Sequence, residues 1–424
     1  MTDQPDEIVH AAVPCPFCGL VCDDLEVRVS TGLVKVAANG CPRSVALFEY
    51  GAAVDGGQAF VEGRPATLEV AVGRAAQILR AAAQPVIGGL ATDVAGMRAA
   101  LDLADRIGAV VDHANSRALM RNLPVLQDSG WIATTFAEVR NRADLVVVAG
   151  SDVVHRFPRF FERVLRGESM FVDGSRREVI FVGEGIDATV SSSAKAPASR
   201  AIPCRKEALG EVFAVLRSLL AGRKPQAAEA GGIGMSEWEA LAERMKRARY
   251  GVVVWAAADL DFPHAELAVQ AMAALVTDLN EHTRFAVLPL GGSEGDLTAN
   301  QVCTWQSGFP LRTSFASGAP DYDPHRFSAQ RMFEDGEADA LLWIASFDPE
   351  RVPPRTAVPT VVLGRPGMHF AAPPAVYIPA ATPGMHHAGH FYRSDNVVAL
   401  RLRKVADSAL PSVADVLQRI GAEL

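Results

Sequence analysis

The sequence predicts an α/β fold with two open, mostly parallel α/β units and a small N-terminal β module. Three observations support this. Short β-branched apolar runs recur along the 424 residues and alternate with helical patterns. The runs are continuously apolar, which is typical of strands buried on both faces of a parallel sheet. Four of the six cysteines lie within the first 41 residues.

The N-terminal module is predicted from Cys15, Cys18, Cys22 and Cys41, spaced C-x2-C-x3-C-x18-C. A tight knuckle at Cys15–Gly19 directs thiols and backbone N–H groups to one point. Alternating runs on either side of Thr31-Gly32 predict a hairpin that returns Cys41 toward Cys22. Four converging thiolates suit one zinc ion or a 4Fe–4S cluster. Four reduced thiols, or a disulfide pair, are the alternatives.

Strands and helices alternate through the rest of the chain, which favours parallel sheets with right-handed crossovers. The predicted strands are Pro85–Leu90, Leu145–Asp152, Val179–Gly183, Val252–Ala256, Phe285–Pro289, Leu341–Ser346 and Thr360–Gly364. The predicted helices are Thr67–Ala83, Asp93–Ile107, Ser236–Arg247 and Pro263–Asn280. In such folds ligands lie beyond the carboxyl ends of the strands.

We expect four consecutive segments. They are the four-cysteine module at 1–62, a first α/β (Rossmann-like) domain at 63–234, a second α/β domain at 235–385 and a C-terminal segment at 386–424. The Gly-, Ala- and Pro-rich stretch Ala221–Gly234 is the best internal linker.

Composition excludes several classes of protein. The net charge of −8 and the pI of about 5.7 offer no basic field for nucleic acid. No apolar stretch reaches the length of a membrane span, and the acidic N-terminus is not a signal peptide. The few, clustered cysteines indicate a reducing cytoplasm.

Other motifs are weak. His386, His387 and His390 could bind a metal, but the nearby Pro383-Gly384 and Gly389 argue against a helix that would align them. No zinc-protease, nucleophile-elbow or phosphate-loop motif occurs. The glycine cluster at 291–295 is weak evidence for phosphate binding. Cys204 and Cys303 are interpreted as small buried residues.

One basic feature departs from the acidic background. Arg156, Arg159, Arg163 and Arg166 recur at helical spacing, which predicts one helix face with all four guanidinium groups. The chain also places Arg117 and Arg121 upstream. The stripe is either a solvated helix face or a cradle for an anion, since arginine pairs bidentately with carboxylates.

A family resemblance covers nearly the whole chain. Cys-Pro-Phe-Cys-Gly-Leu-Val-Cys-Asp-Asp at 15–24 resembles the cluster motif in the B subunit of formylmethanofuran dehydrogenase, a molybdopterin oxidoreductase. The resemblance continues, in order, through Glu138–Asp144, Gly150-Ser151, Phe157–Arg159, Asn300–Val302, Trp305, Gly308–Pro310, Phe315, Gly318, Pro320, Tyr322, Phe327–Ala329, Gly336–Ala340, Tyr392-Arg393 and Leu400–Lys404. It implies a 4Fe–4S cluster on the four cysteines, two pterin dinucleotides, and molybdenum or tungsten on one further cysteine.

The departures from the family pattern decide the predicted function. A gap-free match puts Ala118 where the metal-binding cysteine stands, and residues 42–203 contain no cysteine. Ser116 would be a weak substitute ligand. Gly150-Ser-Asp-Val153 and His386–His390 also differ from the pterin-binding loops of the family. This pattern is similar to the B subunit of the bacterial formyltransferase/hydrolase complex, which has no redox chemistry.

The resemblance therefore implies a degenerate molybdopterin-oxidoreductase architecture without molybdopterin and without catalytic residues. The expected role is a structural, carrier-binding subunit in one-carbon metabolism, with hydrolase, formyltransferase and further subunits as partners. A polyglutamylated furan-amine (methylofuran-type) carrier would lie on Arg156, Arg159 and Arg163, supported by Arg117 and Arg121. The four cysteines would hold zinc in preference to a 4Fe–4S cluster, because no electrons need to leave. An active molybdenum or tungsten dehydrogenase subunit and a zinc-bearing α/β scaffold without a carrier are the alternatives.

Overall fold

The computed structural model describes residues 7–30, 33–52, 57–165, 169–173, 177–189 and 198–424. Thr31-Gly32, the predicted hairpin tip, and Arg166, the last member of the arginine run, lie outside these residues. Within the described ranges, no helix combines the length and apolarity needed to cross a lipid bilayer.

The helices and strands are numbered in chain order. The α-helices are α1 (Pro42–Ala52), α2 (Leu68–Ala81), α3 (Val94–Ile107), α4 (Ser116–Asp128), α5 (Phe136–Arg142), α6 (Val153–Arg156), α7 (Leu209–Leu220), α8 (Met235–Arg247), α9 (Ala265–Leu279), α10 (Asp296–Ser307), α11 (Ala329–Glu334) and α12 (Val413–Ala422). The strands are β1 (Ile8–Val13), β2 (Leu25–Ser30), β3 (Leu33–Ala38), β4 (Ala59–Val61), β5 (Arg64–Ala66), β6 (Pro85–Ala91), β7 (Val110–Val111), β8 (Leu145–Ala149), β9 (Glu178–Val182), β10 (Ala198–Ile202), β11 (Glu229–Ala230), β12 (Ile233–Gly234), β13 (Gly251–Ala256), β14 (Phe285–Leu290), β15 (Thr313–Ser314), β16 (Asp321–Tyr322), β17 (Ala340–Ala345), β18 (Thr360–Gly364), β19 (Val376–Pro379), β20 (Gly389–Tyr392) and β21 (Ala399–Leu402).

The chain forms two compact units, each assembled from separate stretches of sequence. Unit 1 comprises residues 1–116, 292–393 and 398–424, and unit 2 comprises residues 117–291 and 394–397. This grouping differs from the predicted consecutive domains 63–234 and 235–385. The reason is long-range strand pairing, because β6 from the first predicted domain pairs in parallel with β17 from the second.

Unit 1 contains a nine-stranded sheet in the order β16-β15-β7-β6-β17-β18-β19-β4-β5. Its centre, from β7 to β19, is parallel, and antiparallel strands extend it at both edges. Every residue of β6 and β17 is buried, as continuous apolarity predicts. The chain leaves β6 toward β7 but leaves β17 toward β18 on the other side. The crevice beyond the carboxyl ends of β6 and β17 is therefore the topological switch point of unit 1.

A small three-stranded antiparallel sheet, ordered β1-β2-β3, also belongs to unit 1. The predicted hairpin is confirmed, because β2 and β3 pair from Glu26 opposite Ala38 to Ser30 opposite Leu33. The cysteine knuckle lies between β1 and β2, and Cys41 immediately precedes α1.

Unit 2 contains a fully parallel five-stranded sheet in the order β10-β9-β8-β13-β14. In this sheet β8 leads toward β9 and β10, whereas β13 leads to β14 on the other side. Its switch point is the crevice beyond β8 and β13. The predicted linker Ala221–Gly234 lies inside unit 2 and contains β11 and β12, and the carbonyl of Ala230 accepts a 3.1 Å bond from the buried Trp238 indole. It is no boundary, because it packs against the unit 2 core.

The seven predicted strands and four predicted helices are confirmed, with ends shifted by a few residues. The predicted starts of two helices prove to be N-caps. Thr67 accepts a hydrogen bond from Val70 N ahead of α2, and Asp93 accepts one from Gly96 N ahead of α3. The parallel sheets confirm the predicted α/β class.

Candidate functional sites

The first candidate site is the four-cysteine knuckle of unit 1. Cys15 N donates to the Cys22 carbonyl at 2.8 Å, and Val21 N donates to the Cys18 carbonyl at 3.2 Å. These bonds close the loop between β1 and β2. Cys41 is held at the start of α1, where Ser44 N lies 3.5 Å from its Sγ atom.

No disulfide joins any two of these cysteines in the described part of the chain, and Cys15, Cys18 and Cys22 are buried. Burial raises the pKa of Cys15 well above its usual value, and the charges of Cys18, Cys22 and Cys41 add to this, against an opposing bond from Phe17. Burial likewise raises the pKa of Cys18, although backbone bonds and the Arg43 charge oppose the rise. Charges on the other three cysteines therefore act on the Cys15 thiol.

Four thiols are a donor set that suits zinc or a 4Fe–4S cluster. N–H groups directed at Cys18 and Cys41 are the kind of bond that stabilises a thiolate. However, nowhere in the described ranges are three or more His, Cys, Asp or Glu side chains arranged closely enough to hold a metal ion. The donor chemistry fits, and the bound metal remains a prediction.

The second candidate site lies at the switch point of unit 2. Gly150 follows β8 with φ +60°, and a Cβ there would lie 2.5 Å from Leu209 Cδ1, so only glycine fits. The fully buried Ser151 hydroxyl donates to the Ala149 carbonyl at 3.0 Å and accepts from Ala256 N at 2.7 Å. These bonds join the carboxyl ends of β8 and β13.

Arg156 reaches this crevice from the end of the short helix α6. Its Nε donates to Asp259 Oδ1 at 2.9 Å, and its Nη2 contacts the same carboxylate. Asp259 Oδ2 also accepts from Asp152 N at 3.0 Å. The pair thus connects the segments that follow β8 and β13.

Arg117 and Arg121, both on α4, share the carboxylate of Asp261. Arg121 is buried and also donates to the Ala257 carbonyl at 2.6 Å. Burial lowers the pKa of Arg121, and the Asp261 charge opposes this shift. The Arg117 side chain is 73% exposed and lies 3.1 Å from Asp261. Three of the five predicted arginines are therefore gathered at the carboxyl end of β13.

Arg159 and Arg163 lie in a different setting. The prediction of one continuous helix is wrong, because α6 ends at Arg156 and a separate π-helix spans Phe161–Leu165. Phe157 and Pro158 interrupt the helix, since Phe157 leaves the helical conformation at the C-cap. Arg159 is buried and pairs with Glu162 at 2.5 Å, and the half-buried Arg163 donates its N–H to the Arg159 carbonyl at 2.8 Å.

Sequence reasoning missed the acidic partners. Asp259 and Asp261 directly follow the strand Gly251–Ala256, so their position beyond a buried parallel strand was a usable signal. Their pairing with arginines more than 100 residues away depends on the fold.

The remaining motifs behave as ordinary structure. Burial lowers the pKa of His386 to about 4, and its Nδ1 accepts from Thr382 N at 3.1 Å. No helix aligns His386, His387 and His390, as predicted. Cys204 and Cys303 are confirmed as buried residues, and burial raises the pKa of each to about 11.

Comparison with known proteins gives a consistent group of relatives, although no family model matches the chain. The B subunit of the tungsten-containing formylmethanofuran dehydrogenase 2 of Methanocaldococcus jannaschii is 29% identical over 93% of each chain. Its namesake from Methanococcus maripaludis is 26% identical over 97% of this chain and 98% of its own. The B subunit of the formyltransferase/hydrolase complex Fhc of Methylorubrum extorquens is 29% identical over 85% of this chain and 96% of its own.

A solved structure agrees with these relatives. One chain of the X-ray structure of the formyltransferase/hydrolase complex (FhcABCD) from Methylorubrum extorquens, in complex with methylofuran, superposes with a TM-score of 0.72. It is 29% identical, and the match covers 85% of this chain and 97% of that one. The family resemblance stated from the sequence is confirmed.

Proposed function

We propose that this chain is a carrier-binding subunit of a formyltransferase/hydrolase complex in one-carbon metabolism. It is a homologue of the B subunits of formylmethanofuran dehydrogenases and of that complex. The observation that carries the proposal is the match over most of both chains to a component of the methylofuran-bound complex. Its partners are the hydrolase, the formyltransferase and further subunits. The few, clustered cysteines favour a cytoplasmic location.

We infer that this subunit performs no redox chemistry and that its fold is a degenerate molybdopterin-oxidoreductase architecture. Residues 42–203 contain no cysteine that could bind molybdenum or tungsten. Ala118, at the matching position, lies on α4 and packs against the unit 2 core. The alternative, an active dehydrogenase subunit, is supported by the names of two relatives. Elemental analysis of the purified complex separates them, because stoichiometric tungsten or molybdenum would establish the alternative.

The carrier's glutamyl tail is proposed to bind at the unit 2 switch point. Arg117, Arg121 and Arg156 all lie beyond the carboxyl end of β13, and a tail carboxylate can replace Asp261, whose side chain is 58% exposed, as the partner of Arg117. Each exposed contact contributes only about 0.2–1 kcal/mol, but several on one polyanion act together. Arg159 and Arg163 extend the binding path in this proposal. The subunit then anchors a long acidic tether whose formyl-bearing end visits other subunits.

The test is carrier retention by the purified complex. Arg117→Ala/Arg156→Ala should reduce retained carrier at least about fivefold, most strongly in added salt, because screening weakens exposed ion pairs. A second variant, Arg159→Ala/Arg163→Ala, tests the extension of the path. Arg200→Ala/Arg217→Ala is the matched control, since both arginines belong to unit 2 and pair with carboxylates elsewhere. Equal retention in the first variant and the control would refute carrier binding at this crevice.

We further propose that Cys15, Cys18, Cys22 and Cys41 hold one structural metal, with zinc preferred. A bound ion would hold the four sulfurs as thiolates, which offsets their mutual repulsion and their burial. About one zinc and no iron per chain is the expected content. A brown protein with about four irons per chain would show a 4Fe–4S cluster instead. Cys18→Ser should lose the metal and lower the melting temperature, whereas Cys303→Ser, outside the cluster, should keep the metal.

A further inference from the structure

The switch-point crevice of unit 1 contains part of the protein's own chain. The loop 292–296 enters it just before α10 and packs against the segment that follows β6. A Cβ on Gly295 would lie 2.9 Å from the Thr92 carbonyl oxygen, and one on Gly292 would lie 2.7 Å from Gly19 Cα. The loop therefore fits only with glycine at these points, and it fills the place where open α/β sheets usually bind ligands.

The side chain that this loop delivers is a carboxylate. Glu294 is only 2% exposed, and its carboxyl group lies in the crevice beside two arginines. Its Oε2 lies 2.5 Å from Arg351 Nε, and its Oε1 lies 2.7 Å from Arg351 Nη2. Arg43 Nη2 lies 3.5 Å from the same Oε1. The Nη2–Oε1 contact is a hydrogen bond, and the Nε–Oε2 contact is an ion pair without hydrogen-bond geometry. Arginine uses these two nitrogens when it binds carboxylate and phosphate ligands.

Arg351 follows β17, and Arg43 lies near the start of α1, so both approach the crevice from outside the loop. Burial lowers the pKa of Arg351, but the bond and charge of Glu294 outweigh this, aided by Asp348 and Asp296. The Arg351 side chain is 41% exposed, which leaves a path from solvent to the carboxylate.

The backbone at Glu294 is held in an unfavourable conformation. Its φ of +56° lies in the left-handed region, which is unfavourable for a non-glycine residue because the Cβ atom crowds the backbone. The His113 ring contributes to holding it, since its Nδ1 accepts from Asn115 N and its Nε2 then donates to the Glu294 carbonyl at 3.1 Å. Burial lowers the pKa of His113 to about 3, so this ring adds no charge near pH 7.

We propose that the unit 1 crevice is an oxyanion site whose resident anion is the chain's own Glu294 carboxylate. When vacated, it takes a small carboxylate or an inorganic phosphate on Arg351 and Arg43. While Glu294 occupies it, unit 1 accepts no ligand there. This inference is independent of the carrier and of any metal at the cysteines.

Chemical rescue tests the proposal. Glu294→Gly suits the left-handed backbone and leaves a space of the size and shape of propionate. The variant should melt several degrees below the wild type, and millimolar propionate should restore at least half of the loss in a saturable manner. Inorganic phosphate is a second probe of the same oxyanion chemistry, and propionamide is the neutral control. Wild-type protein should shift by less than about 1 °C with any of the three.

Two further variants determine whether the arginines carry the effect. Glu294→Gly/Arg351→Met should lose the rescue. Glu337→Gly, which removes an exposed partner of Arg331, should show none. Should Glu294→Gly not fold, Glu294→Asn carries the same test, because asparagine also tolerates a left-handed backbone. The proposal would be overturned by a folded Glu294 variant whose melting temperature does not rise saturably with propionate. An equal rise in the double variant would overturn it as well.

Discussion

The two switch-point crevices show how one topology gives two different sites. In unit 1 the anion is Glu294, 2% exposed and inserted by a glycine-rich loop. In unit 2 the contact between Arg117 and Asp261 lies at the surface, with the two side chains 73% and 58% exposed, although Arg121 beside them is buried. Both crevices lie beyond the carboxyl ends of parallel strands. The difference arises from the loops that enter them, because one loop inserts Glu294 into unit 1 and the segment after β13 places Asp261 at the surface of unit 2.

The difference in exposure has an energetic consequence. Separating a buried charge from its partner costs about 3–5 kcal/mol, whereas an exposed ion pair contributes about 0–1 kcal/mol. A soluble polyanion should therefore displace Asp261 from the exposed Arg117 more readily than it displaces the buried Glu294 from Arg351. This contrast supports the proposal that the carrier binds at unit 2.

The largest expected effect comes from removing the arginine of the buried pair. Arg351→Met should lower the free energy of unfolding by about 2–4 kcal/mol, because it leaves a buried carboxylate with only Arg43 at 3.5 Å. Arg156→Met, the counterpart in unit 2, should cost less, about 1–2 kcal/mol, because Asp259 is 12% exposed and keeps more access to water than Glu294 does. Urea unfolding of both variants measures the contrast, and equal losses would show that the two crevices do not differ in this respect.

A smaller effect should appear at Asp296 and should depend on pH. Burial raises the pKa of Asp296 to about 7, against bonds from Gly292 N and Leu297 N. The unfolded carboxyl ionises near its ordinary value of 3.8, so the stability that this group contributes is present below that pH and is lost as the pH rises through 7.

Asp296→Asn keeps an oxygen acceptor and removes this charge. Relative to the wild type, the variant should gain about 2–3 kcal/mol in free energy of unfolding between pH 5 and pH 8, and the gain should level off above pH 8. Denaturant unfolding across this range is the measurement. A gain that is the same at both pH values would contradict a buried, late-ionising carboxyl.

The smallest expected effect is at the surface of unit 2. Arg117→Ala should change the free energy of unfolding by less than about 0.5 kcal/mol, since Asp261 keeps Arg121 as a partner. Its effect on carrier retention should nevertheless be measurable at elevated salt. A large stability loss would show that Arg117 has a structural role instead of lying open to a ligand.

Local patterns made part of this protein predictable. The strand Val252–Ala256 and the helix Asp93–Ile107 were readable because continuous apolarity and a 3.6-residue period each match one kind of element. The arginine run was misread as one helix, because its spacing continues across Phe157-Pro158 while the backbone does not.

The sequence predicted which residue types form the candidate sites, but it did not predict which residues pair with one another there. Arg117 and Arg121 share Asp261, and Arg156 pairs with Asp259, whereas metal binding by the four cysteines and carrier binding by the arginines stay predictions. Glu294 looked like part of a flexible glycine loop, and nothing in its neighbours along the chain signals a buried ion pair. Its partners Arg43 and Arg351 lie roughly 250 and 57 residues away in the sequence.

The sequence by itself determined the fold class, the hairpin beside the cysteines, and the residue types available for metal and anion binding. These follow from side-chain periodicity and chemistry within short windows of sequence. Only the tertiary structure decided that β6 pairs with β17, that the units are discontinuous, and which crevice is closed. The physical reason is that strand pairing and ion pairing depend on distances in space between residues far apart in the sequence. Those distances are fixed only when the whole chain folds and buries its two cores.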